Sequence, residues 1–276
     1  MRRTSRRDST SLCWARCPAS SSRVKEVVSV ARINRTAEKG DAAEKSLNFR
    51  ITEAHRLIRT NLLYTLANAK SRVVVFSSAE PSAGKSTLCS NLSLVMAQSG
   101  ARVLLIDADL RKPVQHRHFH LRKTDGLSKV LGGLADLSEA IHRQVAPNLD
   151  VLLAGAIPPN PSELLGSDRM KALVEAVSKE YDYVFIDTPP VGVVADALVL
   201  ASLSAGVVLV ARQKQTTYDE LEESVEAITR IKSKLLGVVL IDVKEERIGY
   251  SRPYVHRYYR YANYRYKVAR GENDDD

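Results

Sequence analysis

From residue 72 onward, apolar and polar positions alternate between two periods. "RVVVFSS" (72–78), "RVLLID" (102–107), "LDVLLAG" (149–155), "YDYVFIDTPP" (181–190), "AGVVLVAR" (205–212) and "LLGVVLIDV" (235–243) are short, nearly continuous apolar runs. Each reads as a strand buried on both faces, because a half-exposed strand would alternate residue by residue. Between them lie stretches with helical spacing: "KSTLCSNLSLVMAQSG" (85–100), closed by Gly100, a helix from about Ser162 to Lys179, one near Ala195–Leu203, and "TTYDELEESVEAITRIK" (216–232). Weaker helical pieces fall near 126–142. Upstream, "SLNFRITEAHRLIRTNLLYTLANA" (46–69) puts Ile51, Ala54, Leu57, Ile58, Leu62 and Leu66 at helical spacing. The pattern predicts an α/β fold: a mostly parallel sheet with helices on both faces.

The ends of the chain carry no such pattern. Residues 1–45 are rich in Ser, Arg and Thr and predict a disordered leader; 46–243 form the folded domain, and 244–276 a flexible tail. The leader holds eleven Lys/Arg against five Asp/Glu, a large part of the chain's net +9. Such an arm could meet an anionic lipid surface or a nucleic acid, or be no more than solvated chain. Its arginine pairs precede no apolar run of signal length, and no stretch reaches the roughly 20 apolar residues of a membrane span. Three cysteines, Cys13, Cys17 and Cys89, form no metal-ligand pattern and predict a reducing, cytoplasmic setting. At the other end, "GYSRPYVHRYYRYANYRYKV" (249–268) gathers seven of eleven tyrosines among arginines: Tyr250, Tyr254, Tyr258, Tyr259, Tyr261, Tyr264 and Tyr266.

Parallel sheets bind ligands at the carboxyl ends of their strands. "SSAEPSAGKST" sits at the first such end and opens a helix. It meets GxxxxGK[ST] at Gly84-Lys85-Ser86, with Ala79 where the first glycine normally stands. Backbone N–H groups of Ala79, Pro81–Ala83 and their neighbours converging on a helix start make a polyphosphate cradle; Pro81 itself supplies shape rather than a donor. Lys85 can reach the outer phosphates, Ser86 can ligate Mg²⁺, and Thr87 can donate to a nearer phosphate. Arg212, closing the strand 205–212, is counted with them as nucleotide-binding. The second strand ends in "LLIDADLR" and the strand at 181–190 in "VFIDTPP", so Asp107, Asp109 and Asp187 stand beside the cradle. Singly each could cap a helix; together they read as Mg²⁺ ligands plus a base for an incoming hydroxyl. Arg111 could balance phosphate charge or be a plain surface arginine.

These motifs resemble the bacterial tyrosine kinases, the autokinases of capsular and exopolysaccharide export. The resemblance covers roughly 46–266. It rests on the Walker A loop Ala79–Thr87, the Walker A′ run Asp107-Ala108-Asp109-Leu110-Arg111, the Walker B run Asp187-Thr188-Pro189-Pro190, the segment "PPNPSELLGS" (158–167) and the tyrosine cluster. It implies a P-loop NTPase-type fold. Lys85, Ser86 and Thr87 would hold ATP, Asp109 and Asp187 would serve Mg²⁺, and Asp107 would take the proton of an attacking phenol. The family's ExxRxxR element falls on Glu53, Arg56 and Arg59 and implies a ring-shaped homo-oligomer that brings each tail to the next subunit's site. An intrahelical ion-pair ladder is the plainer reading of those three. The resemblance further implies recruitment to the inner membrane face by a separate transmembrane activator, and a cognate tyrosine phosphatase. One departure stands out: the last strand has Ile241 where the family usually has Asn, which removes a side-chain donor and acceptor; Asp242 could substitute.

Two other functions compete. ATPases that position division sites or segregate plasmids (the MinD/ParA type) carry an extra lysine early in the P-loop, where this chain has Glu80. A nucleic-acid-binding ATPase would use the Tyr/Arg tail for stacking and phosphate contact. The intact Lys85, Asp107, Asp109 and Asp187 set speaks against a scaffold with a dead site.

Overall fold

The computed structural model describes residues 41–242 except 124, with side chains from Ile51 onward. Most of the expected leader, Cys13 and Cys17, and the whole tail from 244 with its seven clustered tyrosines lie outside the described residues. Seven strands form one sheet in the order β3-β4-β2-β5-β1-β6-β7. They are β1 (Val73–Ser78), β2 (Val103–Asp107), β3 (Ile141–Ala146), β4 (Leu149–Leu152), β5 (Tyr183–Asp187), β6 (Gly206–Arg212) and β7 (Leu235–Ile241). All neighbours pair in parallel except β3 and β4. Central β1, β2 and β5 are buried along their whole length, as their unbroken apolar runs require.

Successive side chains of each strand enter opposite cores. On one face Val74, Phe76, Leu105, Phe185 and Val210 pack beneath α1 (Asp41–Thr65) and α2 (Lys85–Gln98), which contribute Ile58, Leu62, Leu88, Leu92 and Met96. Phe76 and Phe185 meet edge to face, ring centroids 5.1 Å apart, a contact worth about 0.5–1.5 kcal/mol beyond its buried area. On the other face Val75, Ile106, Ile186 and Leu209 pack against α4 (Leu127–Gly132), α6 (Pro161–Leu165), α7 (Asp168–Glu180), α8 (Asp196–Ala201) and α9 (Tyr218–Arg230). Two short helices, α3 (Gln115–His118) and α5 (Leu137–Ala140), complete the set among the described residues.

Four predicted boundaries change, each for a local reason. The first helix runs 41–65 rather than 46–69, though Leu66 beyond it still buries and donates its N–H to the Leu62 carbonyl at 2.9 Å. The segment 126–142 is not helical throughout: Gly133 at φ 72° ends α4, and β3 follows as an antiparallel edge strand. β4 stops at Leu152, not 155, because the Leu153 and Ala154 carbonyls accept the first N–H groups of α4, from Leu127 at 2.8 Å and Ser128 at 3.0 Å. The helix expected over 162–179 is two, since Gly166 closes α6 and Ser167 caps α7 by accepting the Met170 N–H at 3.3 Å.

Candidate active site

The carboxyl ends of β1, β2 and β5 lie side by side, with Asp107 and Asp187 as register partners. From β1 the chain passes into the loop 79–84, where Ser82 and Gly84 take left-handed backbone angles, φ 63° and 98°. At 84 the φ of 98° favours glycine, because L side chains are strained there whatever the space around them. Gly84 is the N-cap of α2 and offers no side-chain oxygen, whereas Thr217 closes a full capping box with Glu220 at α9. The first N–H groups of α2 are therefore left for an anion.

Lys85 is buried at this helix start. Its Nζ donates to Asp109 Oδ2 at 3.0 Å and Ser86 Oγ at 3.1 Å, and stands 3.5 Å from Asp187 Oδ1. Burial alone would lower its pKa, but Asp187, Asp109 and Asp107 together hold it above the ordinary lysine value. Asp107 is fully buried; it accepts the backbone N–H of Asp109 on Oδ1 at 3.2 Å and that of Gln115 on Oδ2 at 3.1 Å. Burial, with the charge of Asp187, pushes it up to about 8. That brings a carboxyl group into the range where it can exchange protons near neutral pH. Asp187 Oδ1 accepts no hydrogen bond.

Sequence reasoning missed Gln115. Fully buried, it gives one Nε2 proton to Asp187 Oδ2 at 2.7 Å and another to the Ser86 carbonyl at 3.2 Å, while its Oε1 accepts from Ser90 at 2.7 Å. It thus ties the P-loop helix to both strand-end carboxylates. Its only sequence signal was a lone amide within "PVQHRHF". Gln215 was also missed; its Nε2 donates to the Pro81 carbonyl at 3.0 Å and braces the P-loop from the β6–α9 connection.

The Walker B run is strapped to β1. Ser77 Oγ donates to the Pro189 carbonyl at 2.9 Å, Thr188 Oγ1 to the Phe76 carbonyl at 2.8 Å, and Val191 N–H to the Ser78 carbonyl at 2.8 Å. Arg111 is an exposed arginine with a structural tie. Its guanidinium holds buried Asp196 through Nε at 2.8 Å and Ser162 Oγ through Nη2 at 2.9 Å. Arg212 lies beside Gly84, its Nη2 3.5 Å from where a Cβ there would stand, and its Nε pairs with Asp242 at 3.3 Å. Ile241 also packs against Gly84, as a member of the α1/α2-side core. On α1, Arg56 pairs with Glu53, one rung of the ion-pair ladder, whereas Arg59 Nε finds no hydrogen-bond partner. Cys89, the free cysteine of the described region, lies buried behind the P-loop, and burial with the charge of Asp187 pushes its thiol well up, so it is inert.

The donor set suits a hard cation. Ser86, Asp109 and Asp187 offer oxygens alone, and Asp187 Oδ1 has a free lone pair. No three His, Cys, Asp or Glu residues among those described converge into a metal site of their own. Magnesium in nucleotide sites needs only one or two carboxylates, the phosphates supplying the rest, so these residues fit Mg²⁺ brought with a nucleotide.

A parallel sheet, a glycine-capped helix start and strand-end aspartates define a P-loop nucleotide-binding protein, and residues 71–239 match the AAA domain family. The chain belongs, more narrowly, to the bacterial tyrosine-protein kinases. It is 44% identical over 196 residues to the tyrosine-protein kinase YwqD of Bacillus subtilis (strain 168), covering 71% of this chain and 81% of that one. It is 36% identical over 198 residues to the tyrosine-protein kinase ptk of Acinetobacter johnsonii, covering 72% of this chain but only 27% of the longer relative. The kinase domain of the Escherichia coli tyrosine kinase ETK superposes with a TM-score of 0.72 at 34% identity, over 82% of this chain and 95% of that one. The division-site protein MinD of Pyrococcus horikoshii, complexed with Mg-ADP, shares the fold alone, with a TM-score of 0.53 at 23% identity. Among the described residues no helix is long and apolar enough to cross a membrane.

Proposed function

We propose that the chain is an ATP-dependent protein-tyrosine kinase that phosphorylates its own tyrosine cluster, Tyr250 to Tyr266, in trans. The observation that carries this reading is the convergence of Lys85, Asp107, Asp109 and Asp187 on one uncapped helix start. Names of relatives 36–44% identical, all tyrosine-protein kinases, support it. Mg²⁺, when bound, would draw charge from the transferring phosphoryl group. The residues to hold it are Ser86, Asp109 and Asp187. Lys85, now spread over two carboxylates, supplies positive charge to the outer phosphates. The loop 79–84, Thr87 and Arg212 bind the rest of the nucleotide. The acceptor phenol oxygen attacks the γ-phosphorus as the bond to the β–γ bridging oxygen breaks, and Asp107 takes the phenolic proton. A phenol titrates near 10, so a base with raised pKa is suited to that step.

Assembly into a ring through Glu53, Arg56 and Arg59, recruitment to the inner membrane face by a transmembrane activator, reversal by a tyrosine phosphatase and control of polysaccharide export belong to the same reading. They rest on the motif resemblance. Incubation with ATP and Mg²⁺ followed by mass spectrometry of 249–268 tests the core of it. Phosphotyrosine is expected in the wild type and none in Lys85→Met. An unmodified wild-type tail, with the activator's cytoplasmic segment also supplied, would defeat the proposal.

A further inference from the structure

The sheet order fixes how a nucleotide must lie. The P-loop leaves β1. On one side of it stand β5 and β2, ending in Asp187 and Asp107 with Asp109 just beyond; on the other stand β6 and β7. The proposed transfer puts the outer phosphate among the aspartates. The inner phosphates then run across the loop, and the nucleoside falls over the carboxyl ends of β6 and β7. Those ends abut the loop. Arg212 and Ile241 are register partners, and the Gln213 N–H donates to the Ile241 carbonyl at 2.9 Å. Ile241 Cδ1 lies 2.9 Å, and Arg212 Nη2 3.5 Å, from where a Gly84 Cβ would stand.

The turn after β6 is tied both to its own strand and to the P-loop. Thr216 Oγ1 accepts the Arg212 N–H at 2.9 Å, and Gln215 donates to the Pro81 carbonyl at 3.0 Å. Asp242 follows β7 at φ 58°, a left-handed turn that aspartate adopts more readily than most residues. Its Oδ2 stands 3.3 Å from Arg212 Nε. That approach is an ion pair without a hydrogen bond, for Arg212 Nε is buried and has no hydrogen-bond partner. The two side chains are 26% and 30% exposed, open to a ligand, while Ile241 beside them is buried.

An ionised carboxylate only accepts hydrogen bonds, and a guanidinium only donates them. Guanine offers a carboxylate two donors, N1–H and N2–H, and offers a guanidinium two acceptors, O6 and N7. Adenine offers the carboxylate a single N6–H beside N1, whose lone pair repels it. We propose that Asp242, paired with Arg212, reads the purine and admits guanine on terms comparable with adenine, so that GTP serves beside ATP as phosphoryl donor. The inference rests on the kinase reading above. The reacting bonds stay the same: the phenol oxygen gains the γ-phosphoryl group, Asp107 takes the phenolic proton, and GDP leaves in place of ADP.

The test is calorimetric binding of MgADP and MgGDP to the full chain, which needs neither activator nor transfer. The Kd for MgGDP should be no more than about threefold that for MgADP. Asp242→Ala should lower the guanine-to-adenine affinity ratio about tenfold, within the range of a bidentate base contact. Asp242→Asn, whose amide can donate to adenine N1, should move the ratio the same way. Because the ratio is taken within each protein, a loss of stability does not imitate it. Weaker binding of MgGDP to the wild type overturns the proposal. So does a ratio unchanged in both variants, which would make the Arg212–Asp242 pair only a tie between strand ends. If MgADP binds and the tail is phosphorylated while MgGDP is rejected, the kinase reading stands and the guanine reading falls. If both nucleotides bind as expected and no tyrosine is modified, the kinase reading falls and Asp242 keeps its role in binding.

Discussion

Gln115 does more for the site than its type suggests. A single amide, fully buried, serves Asp187, the Ser86 carbonyl and Ser90 at once. Gln115→Leu keeps the volume but strips those partners, and each buried group left unsatisfied costs about 1–3 kcal/mol. As a positioning residue it should act on turnover: kcat is expected to fall about 10–100-fold, with a raised Mg²⁺ requirement and little change in KM for a tyrosine peptide. A purely structural role would lower Tm and leave the Mg²⁺ dependence unmoved. Ile241 shows the same limit of reading from residue type. In the sequence it is a missing hydrogen-bonding group; in the fold it is 4% exposed, packed on Gly84 and on the α1/α2 core. The P-loop, by contrast, was legible because its chemistry comes from consecutive residues. Gln115 reaches Asp187 across 72 positions, and no local pattern carries that.

Elements with continuous apolar runs were equally legible, while those held by side chains of another element were not. β3 reads "IHRQVA", polar at three of six positions, and is held at the sheet edge from outside. Arg143 Nη1 donates to Asp150 Oδ2 at 3.1 Å, and the Gln144 N–H donates to Asp150 Oδ1 at 2.7 Å. α9 was predicted by period and is fastened by its capping box. Thr217→Ala should therefore cost about 1 kcal/mol, seen as a lowered urea midpoint at unchanged slope. α8 is joined to the β2 end by Arg111, Ser162 and Asp196. Burial would raise the Asp196 carboxyl, but hydrogen bonds from Arg111 and Ser162 bring it below the usual carboxylate range. Its folded-state pKa thus lies under the unfolded one, near 4. The stability it contributes is present above that value and is lost as pH falls through the folded pKa. Asp196→Asn should destabilise by about 1–3 kcal/mol at pH 7, and the gap to wild type should close in acid denaturation below about pH 4.

At the scale of the whole molecule the question is assembly. If modification of the tail disperses a ring, light scattering before and after ATP and Mg²⁺ should show a fall in mass. Arg56→Ala with Arg59→Ala should start from the smaller species. An unchanged mass despite full phosphorylation would sink the cycle while leaving the kinase untouched. The Glu53–Arg56 rung of α1, among the described side chains, is half exposed and adds little within the chain, where such pairs are worth about 0.3–0.5 kcal/mol. The sequence by itself determined the layered α/β fold, the nucleotide cradle and the trio of strand-end aspartates, because strand burial, helix period and P-loop geometry are written in neighbouring residues. Only the tertiary structure decided what each strand-end group faces: Lys85 bridging Asp109 and Asp187, Arg111 spent on Asp196, and Gln115 holding the site together. Those relations depend on strand order and on loops crossing the sheet's edge, which bring together side chains that lie far apart in the chain.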